Sequence, residues 1–252
     1  MHILLRLCSF PDWATVGLCE LASANIVGYN GATLRGGGQA AGVGASFVNV
    51  NNTDLTLGDL KVVGYDSNYD GFEVIAKKLN GAGVGGTSFY WCDYEEDGQT
   101  YYGWYDGDMN EYNTEKVVLG EGLWVYSPNA NFKLQSSGSV PTSDVAVTLR
   151  GEGQAKMVAN PMPLQLSLGE VLISGYTGSY DGFEVIAKKL NGAGVGGTSY
   201  YWCDYEEDGN TYCGWYDADM NDYNDVPVSA GEGLWIYSPS TSYSVVFPAP
   251  VL

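Results

Sequence analysis

Two short stretches carry side chains that could hold a cation. Asp106, Asp108 and Asn110, repeated as Asp217, Asp219 and Asn221, put oxygen ligands on alternate residues, as calcium loops do. The stretch lacks the glycine and the closing glutamate of an EF-hand loop. A solvated acidic loop is therefore the competing reading, and calcium is the one cofactor these residues suggest. A second set could stack on sugar rings: Tyr90, Trp91 and Trp104, with their counterparts Tyr201, Trp202 and Trp215. Burial in a core or an interface is the competing reading there, because large aromatic side chains dominate both. A third pair, Cys203 and Cys213, could form a disulfide if the two face each other across a hairpin.

Catalytic sets are harder to assemble. The chain has one histidine, His2, which precedes the small-residue pattern Ala22-Ser23-Ala24 that a signal peptidase accepts. Cleavage there removes the imidazole that Ser-His-Asp, Cys-His and His-ligated zinc chemistry require. Carboxylates alone can hydrolyse glycosides, with one acid and one nucleophile or base in distinct environments. Here the same acids occur twice, and nothing distinguishes the two sets. No Asp-Thr-Gly or Asp-Ser-Gly is present, and no Lys-Ser/Thr follows the Gly-rich stretches. The expectation is a protein that is not an enzyme.

Charge narrows the partners. Eleven basic residues stand against 30 acidic ones, for a formal net charge of -19. Phosphate backbones and anionic lipid are bound through Lys and Arg, so nucleic acid and membrane surfaces are excluded as expected partners. No stretch is apolar enough for a spanning helix, and no integral membrane segment is expected. Residues 1–24 read as an export segment, which predicts a secreted or cell-surface protein.

The elements that must position these residues come in duplicate. Tyr69 to Pro128 aligns without gaps on Tyr180 to Pro239, with about four in five positions identical. Thr33-Leu34-Arg35-Gly36 recurs as Thr148-Leu149-Arg150-Gly151. The division that follows is an export segment at 1–24, a repeat at 25–138, a linker at 139–143 within the Ser/Gly-rich run from Ser136, and a second repeat at 144–252. With 35 Gly and 20 Tyr, the composition favours strands and turns. The predicted class is all-β, with two tandem homologous sandwich or barrel-like domains.

Within the first repeat the pattern predicts strands near Ala32–Leu34, Phe72–Leu79, Thr87–Glu95, Gln99–Tyr105, Leu123–Ser127 and Phe132–Gln135, and a helical turn in Leu55–Leu60. Asn80–Gly86 and Asn191–Gly197 read as flexible Gly-rich connections. The hairpin turn Glu95-Glu96-Asp97-Gly98 suits a type I turn with a Gly bulge. That register pairs Glu95 with Gln99, Trp91 with Gly103 and Tyr90 with Trp104. It puts Cys203 opposite Cys213, and it turns Phe89, Trp91 and Tyr105 to one face and Tyr90, Tyr94 and Trp104 to the other.

The Asn25-Ile26-Val27-Gly28-Tyr29 opening, the aromatic hairpin, the Gly-Trp-Tyr-Asp step and the Gly-Glu-Gly-Leu-Trp close together resemble a group of uncharacterised secreted bacterial β-repeat proteins. Leu123 and Leu234 stand where that group usually has Phe. The resemblance implies an exported β-rich protein without known catalysis, and it assigns no functional residue. The expected function is a non-catalytic secreted structural or surface protein that assembles with copies of itself or with other surface proteins into a layer or fibre. The alternative is a tandem carbohydrate-binding module whose partners are glycans.

Overall fold

The computed structural model describes residues 27–36, 39–44, 55–65, 74–77, 86–176, 185–189 and 197–250. The export segment 1–24 and most of both Gly-rich connections lie outside the described residues. The described chain is all-β, in several sheets, with two single-turn 3-10 segments at Leu57–Asp59 and Leu168–Glu170.

The first half contributes strands β1 (Val27–Thr33), β2 (Gln39–Gly44), β3 (Leu55–Thr56), β4 (Lys61–Val63), β5 (Ile75–Lys77), β6 (Ser88–Glu96), β7 (Gln99–Tyr105), β8 (Lys116–Val117), β9 (Gly122–Ser127) and β10 (Lys133–Ser139). They form a five-stranded sheet in the order β2-β9-β5-β6-β7, a three-stranded sheet β1-β10-β4 and a two-stranded ribbon β3-β8. The second half contributes β11 (Val145–Thr148), β12 (Gln154–Ala159), β13 (Leu166–Ser167), β14 (Leu172–Ser174), β15 (Ile186–Lys189), β16 (Ser199–Glu207), β17 (Asn210–Tyr216), β18 (Pro227–Val228), β19 (Gly233–Ser238) and β20 (Ser244–Phe247). Its sheets run β12-β19-β15-β16-β17, β11-β20-β14 and β13-β18, which is the same order element for element. Ser139, expected to open the linker, is instead the last residue of β10, paired with Val27. Backbone pairing along that stretch outweighs its Ser/Gly composition.

Each half has its own apolar cluster. Phe89, Trp91, Trp104, Leu123 and Val125 of the first five-stranded sheet pack against Val62 and Leu134 of the three-stranded sheet. Tyr200, Trp202, Trp215, Leu234 and Ile236 pack against Val147, Ile173, Val245 and Phe247 in the second. The inward side chains alternate along each strand, as the period of two requires. The 3-10 turns hold part of this arrangement: Trp104 Nε1 donates to the Leu60 carbonyl at 2.7 Å, and Trp215 Nε1 to the Val171 carbonyl at 2.7 Å.

The hairpin β6–β7 closes through two residues, Asp97 (φ 49°) and Gly98 (φ 78°), both left-handed. Such a two-residue turn matches the right-handed strand twist, and an Asp-Gly pair tolerates it. Glu96 therefore pairs with Gln99, Trp91 with Trp104, Cys92 with Gly103 and Tyr90 with Tyr105. This corrects the expected register by one residue, and a one-residue shift exchanges the faces. Trp104 joins Phe89 and Trp91 on the core face, while Tyr90, Cys92, Tyr94, Tyr101 and Tyr105 share the other.

Candidate functional site

Trp91, Trp104, Trp202 and Trp215 are at most 3% exposed and lie within the two cores. They offer no face to a sugar. Trp91 meets Trp104 edge to face at 5.4 Å, and Trp202 meets Trp215 at the same 5.4 Å. Tyr90 and Tyr201 are half-buried on the opposite face of the same sheets.

The disulfide expectation is also corrected. The same two-residue turn in the second hairpin pairs Cys203 with Gly214, and Cys213 with Asp204. The two sulfurs thus leave opposite faces of the sheet, and the buried Cys203 forms no disulfide. Cys92 is likewise buried and outside any disulfide. Burial pushes both thiols up to about 11, so they stay protonated and poorly nucleophilic at neutral pH.

The acidic stretches fold into compact loops. Asp106 Oδ1 accepts the backbone N–H groups of Asp108 and Asn110, each at 2.9 Å, and both Asp106 oxygens take the Asn110 amide. Asp217 is held the same way by Asp219 and Asn221. The Asn110 and Asn221 side-chain amides are the first cause that holds these two carboxyls below the ordinary aspartate value, and backbone donors add to it. Oδ1 of Asp106 and of Asp217 thus each take three protein donors, and Oδ2 takes one. Among the described residues no three His, Cys, Asp or Glu side chains converge as a metal site.

The next residues of these loops cover the edge of the sheet, a role the sequence reading missed. β7 is an edge strand, whose outer backbone groups would otherwise be open. Asn113 Oδ1 accepts the Trp104 N–H at 2.8 Å, Asn113 Nδ2 donates to the Tyr102 carbonyl at 3.2 Å, and the Tyr112 N–H donates to the Trp104 carbonyl at 2.8 Å. Gly58 N–H then donates to the Asn113 carbonyl at 2.9 Å, tying the loop to the 3-10 turn. Gly103 is required beneath it, since its φ is +119° and a Cβ there would run into the Asn113 side chain. Asn224 and Gly214 repeat the arrangement against Trp215. The signal was present as an Asn nine residues after each edge-strand Trp.

The outer faces of the two five-stranded sheets meet at one end. Trp124 on β9 packs edge to face on Trp235 of β19, with centroids 5.4 Å apart, and Met157 and Ala155 complete a small buried cluster. Trp235 is the counterpart of Trp124, so the two halves touch through equivalent positions. The Ala159 N–H donates to the Gly120 carbonyl at 2.9 Å, which joins the backbones beside it. Farther along each face lies a tyrosine ladder: Tyr94 stacks on Tyr101 at 5.1 Å, and Tyr205 on Tyr212 at 5.1 Å. No family model, curated protein or solved structure matches this chain.

Proposed function

We propose that this chain is a non-catalytic structural protein of the cell exterior, built from two homologous sandwich-like β domains that present the same tyrosine and acidic surfaces twice. One observation carries the reading. In both halves the side chains that could do chemistry serve the same internal tasks: indoles packed in the cores, and Asp106 and Asn113 with their counterparts engaged by the backbone at a sheet edge. A catalytic acid and base need unlike surroundings to separate their pKa values, and matched halves provide like ones.

The covered β7 and β17 edges favour assembly through side-chain surfaces over strand addition at those edges. Partners on this reading are copies of the chain or other surface proteins. The glycan alternative joined Trp91, Trp104, Trp202 and Trp215, which are buried, to the half-buried Tyr90 and Tyr201; with the indoles withdrawn it has the weaker support and is carried no further. Light scattering and electron microscopy of the purified full chain across a concentration series test the proposal. Concentration-dependent assemblies are expected, and a strict monomer at the highest concentration would count against it.

A further inference from the structure

Tyr94 and Tyr101 face each other as a cross-strand pair, with ring planes 22° from parallel and centroids 5.1 Å apart. Tyr205 and Tyr212 repeat the pair at 24° and 5.1 Å. Aromatic pairs have two preferred arrangements, offset-stacked and edge to face. The other close ring contacts of these hairpins are edge to face or tilted: Tyr105 on Tyr101 at 69°, Tyr216 on Tyr212 at 74°, Tyr102 on Trp91 at 71°, and Phe89 on Tyr112 and Tyr200 on Tyr223 at 55° each. Among these contacts, Tyr94–Tyr101 and Tyr205–Tyr212 are the phenol pairs whose ring planes lie near parallel, the arrangement that brings ring edges alongside each other. The backbone ladder fixes their separation, and Tyr105 and Tyr216 buttress one ring of each pair. All four tyrosines are half-buried, so part of each remains open to a small oxidant.

We propose that Tyr94–Tyr101 and Tyr205–Tyr212 are dityrosine sites, each closed within its own hairpin by a haem peroxidase acting with hydrogen peroxide. Each phenol gives up one electron and its hydroxyl proton to become a phenoxyl radical. The two radicals join through a new carbon–carbon bond between ortho carbons. The hydrogen displaced from each of those carbons shifts to oxygen, which restores two phenols. The two electrons and two protons released reduce one hydrogen peroxide to two waters, so that the chain loses two hydrogen atoms per closed site. The product is a covalent tie between neighbouring strands. It rests on ring geometry alone and stands whether or not the chain assembles.

The test treats the dilute full-length protein with a peroxidase and hydrogen peroxide, then digests it with a glutamate-specific protease. Cleavage after Glu95, Glu96, Glu206 and Glu207 separates the two tyrosines of each hairpin unless they are bonded. The expected result is dityrosine fluorescence, a chain still monomeric on a denaturing gel, a mass lower by two hydrogens per closed site, and Tyr94 and Tyr101 peptides that remain joined. Tyr94→Phe with Tyr205→Phe should abolish the within-chain signal. Tyr102→Phe, at the 47% exposed ring on the other face, should leave it unchanged. Cross-links found only between chains, or fluorescence undiminished in the double variant, would overturn the proposal. Peptide mapping of the unsubstituted protein decides it even if a variant fails to fold.

Discussion

Asn113 and Trp104 are joined by a hydrogen bond from the Trp104 backbone N–H to Asn113 Oδ1 at 2.8 Å, and Asn224 makes the same 2.8 Å bond to Trp215. One amide side chain thereby does the work of an absent neighbouring strand. We predict that Asn113→Ala and Asn224→Ala each cost about 1–3 kcal/mol, the penalty for stranding partly buried backbone groups. Gly103→Ala should cost at least as much, because the left-handed backbone and the Asn113 side chain both oppose a Cβ. Urea denaturation midpoints measure all three, and unchanged midpoints would show that water replaces the amide freely.

The paired core indoles differ in one respect that mutation can expose. Trp104 Nε1 donates to the Leu60 carbonyl at 2.7 Å, whereas the buried Trp91 Nε1 has no hydrogen-bond partner. Truncation to Phe removes similar volume at either position, but only Trp104→Phe strands a buried carbonyl. We predict that it is the more destabilising by about 1–2 kcal/mol. Equal losses in calorimetry would contradict this.

The contact between halves predicts energetic coupling. Trp124→Ala and Trp235→Ala should each be strongly destabilising, by about 3–5 kcal/mol. Together they should cost less than the sum, by about 0.5–1.5 kcal/mol, since they share one edge-to-face contact. A double-mutant cycle in urea reads this term directly, and strict additivity would show that the two rings do not interact.

Alkaline pH should unfold the protein earlier than its acidity alone suggests. The folded thiols of Cys92 and Cys203 sit at about 11, against an ordinary 9.0. Burial is likewise the first cause that raises the phenols of Tyr94, Tyr105, Tyr200 and Tyr216. Folded values above unfolded ones mean stability that is complete below the ordinary thiol value and lost as pH rises from there through the folded value. Asp106 and Asp217 act at the other end: their lowered values give stability above the ordinary carboxylate range that is lost as pH falls through the folded value. Melting temperature against pH should decline on the alkaline side from the ordinary thiol value upward, and Cys92→Ala with Cys203→Ala should flatten the first part of that decline. An unflattened curve in the double variant would remove the thiols from the account.

The all-β class, the β6–β7 hairpin and the helical turn near Leu57 were legible because each rests on local pattern: alternation, turn-rich composition, and an Asp-Gly turn. The register was not. Aromatic residues occupy both faces of this hairpin, so hydrophobic contrast, which normally specifies register, gave no preference between two pairings one residue apart. The turn geometry settled it and moved Trp104 into the core.

The sequence by itself determined that the chain would form β-structure, and that its acids and aromatic rings recur as matched sets, because composition and periodicity act locally. Only the tertiary structure decided what those sets face. Trp91 and Trp104 became core, Asn113 became the cover of a sheet edge, and Trp124 met its own counterpart, because burial depends on which surfaces the chain brings together across long separations.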